Sequence, residues 1–263
     1  MLLLHGFPQT KSAWSDVLPL LAQAGYRAVA FDQRGYRPPS AGGEPGGYGL
    51  CALASDVLTM AEALETEQFH VVGHDWGGMV TWQLAANEPA RLASATVVAT
   101  PHPRAFLRSA VGSQAARSLY VAAFKLPFLP EPVLRAADGY LLRTMLIRSG
   151  LDSGHAAEYT AAMVRGGVLA GALGWYRANG VRTMASVGPA RVPTLYVWPS
   201  GDVALGRRAA QRTADHVASD YRFEVLDNCP HWVPERRPVE LGSLVLEHLR
   251  SKTPSGVTRG AER

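Results

Sequence analysis

Cysteine is scarce in this 263-residue sequence: Cys51 and Cys229 are too few for a disulfide framework or a cysteine-held metal cluster. No apolar run approaches the roughly 18 residues that suggest a membrane span. The longest candidate, Gly166–Tyr176, is glycine-rich and flanked by Arg165 and Arg177. Met1–Leu4 is apolar but short and lacks the basic flank of a signal peptide. These features predict a soluble, cytoplasmic protein with no membrane partner. There is no block of like charge either. The net charge is +4, and basic residues such as Arg34, Arg104 and Arg207 are scattered. A mild basic excess without an interleaved aromatic stripe argues against a nucleic-acid partner. No spacing of His, Cys, Asp or Glu suggests a metal site, and there is no internal repeat.

Glycine (26) and proline (18) are plentiful, which favours a loop-rich enzyme over a helical bundle. Short apolar runs alternate with helical periodicity. Strands are expected at Leu2–Leu4, Arg27–Phe31, Phe69–Val72 and Ala95–Ala99. Helices are expected around Trp14–Leu21, Leu53–Leu64 and Gly77–Asn87, and Asp32–Gly47 reads as a loop. This alternation predicts an α/β fold, a mostly parallel sheet with helices on both faces. From Arg104 to about Val187 the strands stop and helical stretches continue. Strands resume at Thr194–Trp198 and Arg222–Leu226, followed by a helix near Val239–Arg250. The expected organisation is a core of residues 1–103 and 189–250, a helical cap over 104–188, and a flexible tail over 251–263.

The strongest chemical signal is Gly73-His74-Asp75-Trp76-Gly77-Gly78, between a strand and a helix. Small residues there permit the sharp turn that lifts one side chain above a sheet. The lifted residue is Asp75. A bland reading is a glycine-rich turn with an acidic helix cap. His5-Gly6-Phe7-Pro8 follows the first strand. The Phe7 and Trp76 amides could together form an oxyanion hole. Asp202 and His231 each follow a later strand, where open α/β sheets place their sites. The order nucleophile, acid, histidine is that of an α/β-hydrolase.

These motifs resemble the α/β-hydrolases with an aspartate nucleophile, the epoxide hydrolases and their dehalogenase relatives, over most of Met1–Arg250. In that family the Phe-Pro bond of the first motif is usually cis. A carboxylate is a poor acyl nucleophile but can displace a leaving group at saturated carbon. The resemblance implies that Asp75 forms an alkyl ester, which His231, oriented by Asp202, hydrolyses with water. It implies no metal or organic cofactor. Epoxide hydrolases also use two tyrosines of the cap as proton donors; an ordinary tyrosine, pKa about 10, is neutral at pH 7. Leu173-Gly174-Trp175-Tyr176-Arg177 resembles the family segment in which Asn is common where Gly174 stands, and nominates Tyr176. The stretch Arg117–Phe124 resembles the segment carrying the other tyrosine, and nominates Tyr120. Tyr140 and Tyr159 compete, with Tyr159 read as packing.

The expected activity is opening of a small apolar epoxide to a vicinal diol. A haloalkane dehalogenase fits less well, because Phe7 stands where an Asn often helps to hold halide. A haloacetate dehalogenase is expected to carry arginines just after the nucleophile, and none is present. A non-catalytic, ligand-binding member is the alternative from another class. Phe124, Phe128, Met145, Met163 and Trp175 suggest an apolar pocket. Family members usually carry two strands before the His-Gly motif. Those strands are expected to be missing, which leaves the strand 27–31 at the sheet edge and predicts poor solubility or a homodimer through that edge.

Overall fold

Alternating strands and helices set a single parallel sheet. A computed structural model describes residues 1–37, 47–109 and 119–251, except the side chains of 119 and 120. Strand β1 is Leu2–Leu4, α1 is Leu18–Gln23, β2 is Val29–Ala30, α2 is Leu50–Ala63 and β3 is Phe69–His74. Then come α3 (Trp76–Asn87), β4 (Leu92–Val98), α4 (Pro103–Ser109) and α5 (Leu119–Lys125). Four further helices precede the next strand: α6 (Pro130–Arg148), α7 (Ser153–Val164), α8 (Leu169–Ala178) and α9 (Val181–Ser186). The chain closes with β5 (Thr194–Pro199), α10 (Arg207–Arg212), β6 (Tyr221–Leu226), α11 (Val233–Arg236) and α12 (Pro238–Arg250). The sheet has six strands in the order β2-β1-β3-β4-β5-β6, and every neighbouring pair is parallel. It is the α/β-hydrolase architecture expected from the sequence.

The central strands carry near-continuous apolar residues because both faces are covered. Leu3, Leu4, Val71, Val72, Val97 and Val98 are all buried. The edge strand is shorter than its sequence suggests. Of Arg27–Phe31, only Val29 and Ala30 pair, opposite Leu2 and Leu3. Just before β1, the Met1 amino group donates to the Arg27 carbonyl at 2.8 Å and the Met1 carbonyl accepts from the Val29 amide at 3.0 Å.

No strand interrupts the helices between β4 and β5 among the described residues. Asp152 caps α7, its Oδ1 accepting from the Gly154 and His155 amides at 3.0 and 3.1 Å. Helix α6 is broken inside: Ala137, Asp138 and Gly139 all have positive φ. A Cβ on Gly139 would collide with the Thr160 methyl of α7, so glycine permits the close approach.

Helix α8 is tied to the core at three places. Trp175 Nε1 donates to the Arg34 carbonyl at 2.9 Å. Gly171 lies so close to the Gly35 backbone that a Cβ would overlap it. Asn179 Oδ1 accepts from the Leu50 amide at 2.9 Å, satisfying a donor at the start of α2, and its Nδ2 donates to the Tyr48 carbonyl at 2.8 Å. Gly174 has a local reason too. The Tyr48 ring lies against it, and a Cβ would stand 2.7 Å from Tyr48 Cε2.

The expected flexible tail over 251–263 lies outside the described residues except for Ser251. So does the Tyr120 side chain, although its backbone belongs to α5.

Candidate active site

Four loops at the carboxyl ends of parallel strands converge on one point, as Phe7 follows β1, Asp75 follows β3, Asp202 follows β5 and His231 follows β6. Asp75 has φ 51° and ψ −118°, a conformation costing on the order of 1–3 kcal/mol for a non-glycine residue. The surroundings enforce it. The Asp75 amide donates to the Val98 carbonyl at 3.2 Å, and Thr100 Oγ1 donates to the Asp75 carbonyl at 2.8 Å. Gly73 and Gly77 leave no room for a Cβ: one would strike the Gly77 carbonyl, the other the Leu4 carbonyl. Gly6 packs against the Asp75 side chain in the same way. Asp75 does occupy the N-cap position of α3, as the bland reading has it, but its side chain makes no capping hydrogen bond there.

The Asp75 carboxylate instead accepts from the Phe7 amide, 2.8 Å from Oδ1. The Phe7–Pro8 bond is cis, as the resemblance implied. Asp75 Oδ2 stands 3.7 Å from His231 Nε2. On the other side of the imidazole, Nδ1 is 2.7 Å from Asp202 Oδ2. Asp202 is held in turn, with Oδ1 accepting from the Ala204 and Leu205 amides at 2.7 and 3.0 Å. The structure therefore brings together Phe7, Asp75, Trp76, Asp202 and His231, as the sequence order suggested.

The electrostatics follow from burial and partners. Burial pushes the Asp75 carboxyl upward, and the His231 charge and the Phe7 and Trp76 amides pull it back; the balance lies above the ordinary value. Burial pushes His231 down, but the Asp202 carboxylate, its hydrogen bond and the Asp75 charge outweigh it and raise the imidazole to about 9. Cys229, beside this loop, is raised to about 11 by burial and is no thiolate at neutral pH.

Tyr176 sits directly over the site. Its ring makes edge contacts with Trp76 at 5.0 Å, Phe124 at 5.2 Å and Phe7 at 5.4 Å. Tyr140 is 69% exposed and far from such a role. The Tyr159 hydroxyl is taken, donating to Glu235 Oε1 at 2.7 Å.

A cavity of about 400 Å³ opens between the strand ends and the helices. Asp75, His231, Tyr176 and Phe7 line it, with Leu142, Met145, Trp232 and Phe124 supplying apolar wall. Of the aromatic and Met residues expected in a pocket, Phe124 and Met145 line it. Trp175 and Met163 are instead packed into the core, and Phe128 is 89% exposed. Helical periodicity marks apolar residues without saying which face meets the cavity. Among the described residues no group of His, Cys, Asp and Glu gathers to hold a metal ion.

Two features escaped the sequence reading. Thr100, which fixes the Asp75 carbonyl, carries no motif of its own. Gln9 and Glu235 form a buried contact at 2.6 Å behind the site. The one available signal was position, since Gln9 follows His5-Gly6-Phe7-Pro8 and Glu235 lies four residues after His231.

A profile described as the alpha/beta hydrolase fold matches residues 1–238. The chain belongs to the α/β-hydrolase fold family. Among its α/β-hydrolase relatives, an AB hydrolase superfamily protein, YfhM, of Bacillus subtilis is 31% identical, covering 96% of this chain and 90% of that protein. Epoxide hydrolase A of Mycobacterium tuberculosis is 28% identical over 95% of this chain and 89% of its own length. The crystal structure of epoxide hydrolase A from Mycobacterium thermoresistibile superimposes with a TM-score of 0.78 at 26% identity, covering 95% of this chain and 90% of that one. This α/β-hydrolase is thus an enzyme similar in sequence and structure to epoxide hydrolases.

Proposed function

We propose that this α/β-hydrolase opens small apolar epoxides to vicinal diols through an ester on Asp75. The observation that carries the reading is a carboxylate, rather than a hydroxyl, on the strained turn between β3 and α3, facing His231 and overhung by Tyr176. Asp75 Oδ1 is engaged by the Phe7 amide, which leaves Oδ2 to attack an epoxide carbon. The ring C–O bond breaks, its electron pair stays on oxygen, and that oxygen takes the Tyr176 phenolic proton. Tyr120 is proposed as the second donor. The product of this step is a hydroxyalkyl ester.

His231 then takes a proton from water, and the hydroxide adds to the ester carbonyl carbon. The Phe7 and Trp76 amides stabilise the resulting oxyanion; losing one such donor costs roughly 10²–10³ in rate. Collapse expels the diol oxygen, which recovers the proton from His231; the proton left on the Asp75 carboxyl passes to the Tyr176 phenolate, and both groups are regenerated. Asp202 keeps the imidazole in the tautomer this requires. Phe124 and the helices between β4 and β5 act as a cap that keeps bulk water away. Haloalkane displacement would use the same Asp75 chemistry. Tyr176 favours the epoxide, because a halide leaves without a proton.

The test is one enzyme turnover in heavy-oxygen water with a terminal alkyl epoxide. The first diol released should carry unlabelled oxygen from Asp75, and the label should appear in the Asp75 carboxylate. Label in the first diol would mean direct attack by water and would end the ester reading.

A further inference from the structure

Behind the triad runs a buried polar chain that the proposed reaction does not use. Glu235 stands at the start of α11, packed beneath the His231 loop. Its Oε1 accepts from Gln9 Nε2 at 2.6 Å and from the Tyr159 hydroxyl at 2.7 Å. Its Oε2 is buried and has no partner among the described residues. Gln9 is wholly buried. Its Oε1 accepts from the Gly6 amide at 2.9 Å and meets His74 Nδ1 at 2.8 Å. His74 Nε2 meets the backbone carbonyl of His231 at 2.9 Å. One glutamine thus touches the loop that carries the Phe7 amide and, through His74, the loop that carries the base.

Burying a carboxylate with one empty oxygen is expensive, and an apolar residue of similar size would avoid the cost. What the carboxylate supplies is direction. A glutamine amide can point either way, and its orientation follows from its partners. Here a flip would set Gln9 Oε1 against Glu235 and its NH₂ against the Gly6 N–H, two contacts of like sign. With Glu235 in place, the Gln9 oxygen is committed to the Gly6 amide and faces His74, whose neutral ring has one N–H for either the Gln9 oxygen or the His231 carbonyl.

We propose that Gln9, oriented by Glu235 and Tyr159, is a positioning residue that holds the Phe7 amide and the His231 loop in register. Its kinetic consequence rests on the ester reading above; its structural half does not. Ester hydrolysis needs the amide hole and the histidine together, so it should suffer more than ester formation, which needs Asp75 Oδ2 and Tyr176.

Three variants test this: Gln9→Leu, Gln9→Glu, and the exchange Gln9→Glu/Glu235→Gln, which swaps amide and carboxylate across the same contact. The probe substrate is a terminal alkyl epoxide, with ester formation and decay followed separately by rapid quench. In Gln9→Leu, ester decay should slow by about tenfold to a hundredfold, as expected for misplacement of a catalytic group by around 1 Å, with ester formation changed far less. The Phe7 amide proton, followed by NMR, should lose the downfield shift of its bond to Asp75. The exchange variant should recover both signals relative to Gln9→Glu alone.

An equal slowing of both steps with an unmoved Phe7 resonance would overturn the proposal. So would an exchange variant no better than Gln9→Glu. If Gln9→Leu does not fold, the Gln9→Glu pair of variants decides. If the wild-type protein forms no ester with any epoxide, the activity reading fails on its own, and the Phe7 resonance still decides the positioning role.

Discussion

Two regions meet at the cavity, and they hold their residues by different means. On the sheet side, Phe7, Asp75, Asp202 and His231 stand at strand ends and are fixed by hydrogen bonds of 2.7–2.8 Å. On the helical side, Tyr176 is placed by aromatic edges and by glycines that let α8 press against Gly35 and Tyr48. Directional bonds at the ends of a parallel ladder leave little freedom. Apolar packing is less directional and accepts volume-conserving exchange of side chains. In the proposed reaction the sheet side carries the ester chemistry, and the helical side selects the leaving group.

The predictions separate the two sides. Asp75→Asn should remove turnover of every substrate, by a factor on the order of 10⁶, measured by steady-state assay on an epoxide and an alkyl bromide alike. A loss confined to the epoxide would show that the sheet side is not the common element. Asp202→Asn should slow ester decay by roughly 10⁴, because the imidazole loses its tautomer. Single-turnover decay checks this.

Tyr176→Phe should slow ester formation from the epoxide by about 10²–10⁴ and leave the bromide nearly untouched. Equal losses on both substrates would make Tyr176 a packing residue. Gly171→Ala should act only on the frame, costing about 1–3 kcal/mol in unfolding free energy by overpacking against Gly35. Calorimetry measures it, and epoxide opening should fall less than in Tyr176→Phe.

The pH profile sharpens the same division. His231 is held up to about 9, so its cation persists above neutral pH in the resting enzyme. Ester formation removes the Asp75 charge and with it one of the causes of that rise. In the proposed reaction the neutral imidazole is the base. Ester decay should therefore increase with pH through a midpoint below 9 and then level off. A decay rate that falls with pH would remove His231 from the base role.

Legibility divides along the same line. The elbow could be read because Gly73, Gly77 and Gly78 leave few alternatives for the chain, and Asp75 at its centre names the chemistry. Asp202 and His231 could be read because each follows a stretch expected to be a strand, Thr194–Trp198 and Arg222–Leu226. Helical periodicity between β4 and β5 was visible, but the break at Ala137–Gly139 was not, since the positive φ of Gly139 and its contact with Thr160 exist only in the folded chain. For the same reason Phe128 and Trp175 were assigned to a pocket, when one faces solvent and the other the core. Gln9, Thr100 and Glu235 were missed because a single polar residue shows its partner only after the chain has folded.

The central claim is the ester on Asp75, and intact-protein mass spectrometry of His231→Gln tests it most directly. With the base removed, incubation with an alkyl epoxide should add the mass of one whole epoxide. Peptide mapping should place it on Asp75, and His231→Gln/Asp75→Asn should show no gain. A folded His231→Gln protein that releases diol without ever carrying the adduct would contradict the account.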